Sequence, residues 1–175
     1  AGGAVAVSVV YRTASPNPYS SGMAAAVVLG RPNLFAAPVP AGTPPSASSL
    51  AGPPAALAFD AAGDLWVADP AANRVLEYEP PFEDGMPASR VLGQQSFAGD
   101  APGTSAQNLS FPDGLALDPQ GDLWVADGGN DRVVEFVPPF HTGMAATVAI
   151  GQTSLAAAAP GSGADGMGVP GGIGF

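Results

Sequence analysis

Apolar positions in this chain come in short runs closed off by turn residues, and no window shows a helical apolar period free of Gly or Pro. One stretch carries Leu115-Ala-Leu, Leu123-Trp-Val-Ala, Val133-Val134 and Val148-Ala-Ile in succession, rich in β-branched and aromatic residues that suit a half-buried pleated surface. Asp118-Pro-Gln-Gly-Asp122 separates the first two runs and reads as a tight turn, with Gly121 available for positive φ. The pattern predicts four antiparallel strands over 114–118, 123–127, 132–136 and 147–151.

The same pattern occurs twice. Leu57-Ala-Phe-Asp-Ala-Ala-Gly-Asp-Leu-Trp-Val-Ala-Asp69, Asn73-Arg-Val-Leu-Glu-Tyr78, Pro80-Pro-Phe82, Gly85-Met86 and Val91-Leu-Gly-Gln94 each return later in the chain at one constant offset, Trp66 as Trp124 and Met86 as Met144. A third, partial copy runs from Tyr19-Ser-Ser-Gly-Met23 to Val27-Val-Leu-Gly30, ahead of its counterpart by a slightly longer offset. A four-stranded sheet repeated at a fixed period is the unit of a β-propeller, and repetition of this kind settles architecture before any single residue does.

Pro112-Asp-Gly-Leu-Ala-Leu-Asp, Gly121-Asp-Leu-Trp-Val-Ala-Asp and Asn130-Asp-Arg-Val-Val resemble the NHL repeat, in a long-blade form similar to that of bacterial extracellular proteins. The resemblance implies an all-β propeller segment of four-stranded antiparallel blades. About three blades' worth is expected, open at both ends: late strands and a loop over 1–49, complete blades with their following loops over 50–108 and 109–168, and a first strand over 169–175. It also implies a place outside the cell or on its surface.

Composition narrows the function. The net charge of −10 comes from 15 acidic residues against five arginines, which leaves no basic stripe for phosphate and argues against nucleic acid. There is no cysteine, hence no thiol chemistry, and no apolar run approaches the ~18 residues that span a bilayer. A propeller hydrolase or lyase would need several metal ligands around its channel, whereas His141 is the single histidine. Asp60/Asp64 and Asp118/Asp122 occupy turn positions and lack the spacing of a calcium loop. No catalytic residue, metal or cofactor is therefore assigned.

The recurring residues read as parts of the repeat. Asp69 and Asp127 end the second strand and Arg74 and Arg132 begin the third, so a charge-assisted pair within each blade is expected. Trp66 and Trp124 are expected between blades, and Met86 and Met144 as packing plugs. The loops over 31–54, 94–112 and 152–170 are rich in Ala, Pro, Gly and Ser and read either as solvated linkers or as a binding rim.

A propeller of three blades does not close alone, so either the chain is an excerpt of a longer propeller or copies complete one another's blades by strand addition. Val5, Val7 and Val9 at one end and Ile173 and Phe175 at the other are the candidate assembly strands. The leading expectation is a non-enzymatic extracellular scaffold whose partners are other protein chains, copies of itself included, forming a ring or filament. The alternatives are part of a larger propeller enzyme, or a glycan-binding module using rim loops and aromatics.

Overall fold

The structure is a computed structural model that describes residues 7–8, 25–33, 35–37, 39–40, 42–161 and 166–175. Among the described residues, ten strands form three sheets: β1 (Val7–Ser8) with β2 (Val28–Leu29); β3 (Leu57–Phe59), β4 (Leu65–Asp69), β5 (Arg74–Tyr78) and β6 (Arg90–Leu92); and β7 (Pro112–Leu117), β8 (Leu123–Asp127), β9 (Arg132–Phe136) and β10 (Val148–Ile150). Both four-stranded sheets are simple antiparallel meanders, each strand paired with its neighbour in sequence. The all-β, open propeller segment expected from the repeat is what the chain adopts. We call β3–β6 the first blade and β7–β10 the second.

Registers match between copies. Asp69 faces Arg74 and Trp66 faces Glu77 in the first blade, as Asp127 faces Arg132 and Trp124 faces Glu135 in the second. The short sheet belongs to the same scheme: Val7 faces Leu29 as Val75 faces Leu92. This places β1 as a third-strand equivalent and β2 as a fourth. Of the proposed assembly residues at that end, Val5 and Val9 lie outside the described residues, and only the backbone of Val7 is described.

Each blade's first turn is built by its leading aspartate. Asp60 Oδ1 accepts from the backbone N–H groups of Ala62 and Asp64, both at 2.9 Å, and Asp118 Oδ1 does the same for Gln120 and Asp122 at 2.9 and 3.0 Å. Gly63 and Gly121 supply the positive φ, 91° and 89°, that closes these turns. Short strands follow because each is ended by a residue that must leave the ladder.

The structure adds two elements that the sequence pattern does not announce. Pro70–Ala72 and Gly128–Asn130 each form one turn of 3-10 helix between second and third strands, stopped by Asn73 and Asp131 in the left-handed region at φ 52° and 51°. A single three-residue turn has no apolar period to detect, and Asn and Asp tolerate that conformation better than other non-glycine residues. Strand bounds also shift: the first strand of the second blade starts at Pro112 with a bulge between Pro112 and Gly114, and the fourth spans only 148–150.

The core lies between blades. One face of the first blade, with Trp66, Ala68, Val75 and Leu92, packs against Leu115, Leu123, Val125, Val134 and Phe136 of the second. The opposite face, with Leu65, Val67, Leu76, Tyr78 and Val91, packs against Leu29. Alternation along each strand sends successive side chains to these two faces, so every blade needs a neighbour on both sides.

Candidate functional site

The recurrent polar residues come together, and they come together around the loops. Arg74 Nε donates to Asp69 Oδ2 at 2.9 Å with both side chains fully buried, and Arg132 Nε donates to Asp127 Oδ2 at 2.8 Å. The remaining guanidinium nitrogens serve chain before and after the blade: Arg74 reaches the carbonyls of Ser49 and Phe97, each at 2.7 Å, and Arg132 those of Thr104, Asn108 and Leu155. Five fixed donors let one arginine hold two loops at once, which a lysine could not do. Burial pushes the Asp69 and Asp127 carboxyls above the usual range, against the pull of hydrogen bonds and of the arginine.

Gln94 and Gln152 extend the same scheme. Gln94 Nε2 donates to the carbonyls of Asn73 and Ala101, and Gln152 Nε2 to those of Asp131 and Ala159. Asn73 Oδ1 accepts from Phe111 N–H at 2.8 Å, and Asp131 Oδ1 from Val169 N–H at 2.8 Å. The long Gly/Pro-rich connections are therefore held at several points by side chains of the blades they join. The signal that would have found this is the recurrence of Gln after the fourth strand, which sequence reasoning noted only as part of a Leu-Gly-Gln element.

Trp66 is fully buried, its ring meeting Phe140 edge-on with centroids 4.6 Å apart. Trp124 occupies the equivalent register but is half-buried, tilted against Phe175 at 6.1 Å. Met144 is buried in the interblade core, while Met86 packs from the edge of the other cluster. Ile173 is half-buried and Phe175 exposed, and no ladder pairing involves residues 169–175 among the described residues. His141 is exposed, its Nδ1 lying 3.5 Å from the Pro139 carbonyl.

A cleft of about 370 Å³ opens between the blades beside Asp60, Asp64, Glu77, Glu79, Arg90 and Phe140. Asp60, Asp64 and Glu77 each place a carboxylate oxygen within 4.8 Å of the others. Arg90 already occupies this acidic corner, its Nη1 hydrogen-bonded to Glu77 and, at 2.7 Å, to Glu79. Burial first, then repulsion from Asp60 and Glu79, raises the Asp64 carboxyl; burial raises Glu77 against the hydrogen bond from Arg90. Arg90 offsets only part of this charge, and the corner stays acidic at the blade interface.

The two blades differ most in what they leave uncovered. Leu92 of the first blade is 0% exposed, whereas Ile150, its counterpart in the second, is 48% exposed. Val148 stands where the first blade has Arg90, and it too is exposed. On the first blade, Leu57 and Phe59 of β3 are 46% and 49% exposed. Ile150 is thus an apolar position that the first blade buries and the second leaves uncovered.

Four-stranded meanders repeated in register and packed face to face are blades of the β-propeller class. Residues 109–136, covering β7 to β9, match the family model of the NHL repeat. The first blade carries the same pattern earlier in the chain, with Trp66 in the place of Trp124. No curated protein matches the chain.

Proposed function

We propose that this chain is a non-enzymatic, extracellular scaffold that brings protein chains together, copies of itself among them, through the uncovered faces of its blades. An NHL repeat is a protein-interaction module in its coarse role, and the single observation that carries the finer reading is the exposure of Ile150, whose first-blade counterpart Leu92 is sealed, with Val148 exposed beside it. Association would remove those side chains from water at roughly 1.5–3 kcal/mol for each one fully buried. The recurrent polar groups support the reading from the other side. Asp69, Arg74, Asp127, Arg132, Gln94 and Gln152 are all spent on holding the loops.

Replacing Val148 and Ile150 together with Glu tests it. Association, followed by sedimentation of the purified chain and by cross-linking on the surface of the producing cells, should be lost while the melting temperature holds. Undiminished association in the double variant would refute the face as the binding surface.

A further inference from the structure

Among the described residues, four that are not glycine have positive φ, and they form two hydrogen-bonded pairs. Asn73, at φ 52°, accepts through Oδ1 from the N–H of Phe111, also at φ 52°; Asp131, at φ 51°, accepts in the same way from Val169, at φ 34°. In each pair the acceptor ends the 3-10 turn of one blade, and the donor stands where the chain enters the next repeat. Asn and Asp tolerate this conformation. A phenylalanine does not, and Pro112 after it restricts the backbone further. Phe111 is kept there by Asn73 and by two bonds to the residue before it: Ser110 N–H donates to Asp127 Oδ1 at 2.6 Å, and its carbonyl accepts from Gly129 N–H at 2.8 Å.

The fold gains little from the ring so placed. Phe111 is 56% exposed, and the repeat does not require an aromatic at that position: Ser110-Phe111-Pro112 corresponds to Gly52-Pro53-Pro54 in the first blade and to Gly168-Val169-Pro170 after the second. A strained backbone that displays a ring instead of burying it costs stability, and such a cost points outward, to something bound. The charge beside it is acidic. Asn73, which holds Phe111, also donates from Nδ2 to the Asp100 carbonyl at 2.8 Å, and Asp100 is exposed. Asp113, two residues beyond Phe111, has a buried Oδ1 with no hydrogen-bond partner among the described residues. No arginine among them pairs with either carboxylate: Arg74 and Arg132 hold Asp69 and Asp127, Arg90 holds Glu77 and Glu79, and Arg31 donates to the Ala36 carbonyl.

We propose that Phe111, with Asp100 and Asp113 beside it, is the docking point for an arginine-bearing segment of a partner protein. The face of an exposed aromatic ring attracts cations, and a guanidinium, planar and weakly hydrated, stacks on it better than an ammonium does. Its positive charge answers the two carboxylates that the chain's own arginines leave unpaired. Charge also selects the occupant: a second copy brings the same net −10, whereas a basic segment is drawn in. This rests on the scaffold reading above and gives it a partner chemistry, at a surface separate from Val148 and Ile150.

Fluorescence anisotropy with a short labelled peptide of alternating Arg and Gly tests it on the 175-residue chain. The parent should bind this peptide, less tightly as salt rises, and should leave the matching Glu-Gly peptide unbound. Phe111→Gly removes the ring and suits a φ of 52°, so binding should weaken about fivefold while the melting temperature holds or rises. Phe111→Leu, apolar but without a π face, should weaken binding to the same degree, and Phe111→Tyr should retain it. Asp100→Asn should weaken it as well. Glu135→Gln should not, because it removes the same charge beside Trp124, away from the Asp127 end of β8 where Phe111 lies.

A parent that does not bind the peptide, or a Phe111→Gly or Phe111→Leu chain that binds it as the parent does, would overturn the docking point. Equal losses in Asp100→Asn and Glu135→Gln would overturn it too, by reducing the attraction to net charge. So would a lowered melting temperature in Phe111→Gly, which would show the ring to be packed within the fold. The two proposals fail separately. An unbound peptide, with cell-surface cross-links still lost in the Val148→Glu, Ile150→Glu chain, sinks the docking point and leaves the scaffold reading intact; a bound peptide with persistent cross-links does the reverse.

Discussion

The indole N–H of Trp124 donates to Asp118 Oδ2 at 3.0 Å, so one aspartate both builds the turn after the first strand and fixes the aromatic of the second. The hydrogen bond from Trp124 holds the Asp118 carboxyl below its usual range. Trp66 and Asp60 make the same pair at 3.4 Å, with Phe140 pressed on the ring.

Asp118→Ala should therefore lower the unfolding midpoint, through loss of the turn's hydrogen bonds. It should also alter the emission of the half-exposed Trp124, leaving that of Trp66 unchanged. Denaturant melts followed by tryptophan fluorescence in Trp66→Phe and Trp124→Phe backgrounds separate the two signals. An unchanged midpoint would deny the turn its role.

Much of this was legible because repetition supplies its own control. A run such as Leu-Trp-Val-Ala-Asp carries little alone, but the same run again at Leu123, with the same turn before it and the same Arg after it, specifies a blade. The Asp69 and Arg74 contact could be expected from their positions at the junction of two paired strands. What the loops do was not legible. Gly and Pro mark where chain leaves the ladder and say nothing of which distant carbonyls a guanidinium will reach, so the tether from Arg132 to Leu155 needed coordinates. The unequal burial of Trp66 and Trp124 was hidden for a related reason: identical sequences meet different neighbours in successive blades.

Arg132→Met should cost about 3–5 kcal/mol, the range for breaking a buried ion pair from one side, because it strands the Asp127 carboxylate and several loop carbonyls. Arg132→Lys should recover little of this, since one ammonium cannot span Asp127, Thr104 and Leu155 together. Urea unfolding compares the two. Hydrogen exchange should quicken at the loops on both sides of the second blade, and acceleration confined to β9 would show that the arginine does not tether them.

Gly93 follows the fourth strand of the first blade at φ 80°, and a Cβ built there would lie 2.5 Å from Leu109 Cδ1. Gly30 and Gly151 stand in the same way under Leu50 and Met167. Gly93→Ala combines a disfavoured backbone with displacement of a buried leucine, and about 2–3 kcal/mol of destabilisation is expected. Gly63→Ala, at φ 91° with no atom near its Cβ, isolates the backbone cost alone. The difference between the two melting shifts measures the Leu109 contact, and equal shifts would remove it.

Acidification should stabilise this protein before it unfolds it. Burial raises the carboxyls of Asp64, Asp69, Glu77 and Asp127 above their ordinary values of 3.8 and 4.5. A group raised on folding binds its proton more tightly in the folded chain, so the folded state gains as pH falls through the raised value, and the gain is complete below the ordinary one. Asp118 runs the other way: its contribution is present above 3.8 and is lost as pH falls through its lowered value. The melting temperature should therefore hold or rise between about pH 7 and about pH 5, and decline only below the ordinary carboxylate range. Glu77→Gln removes one raised group and should flatten the rise, with Arg90 kept on Glu79. A melting temperature that drops steadily from neutral pH would mean that these carboxyls are stabilised as anions, and that the buried corner at the blade interface is held by its ion pairs after all.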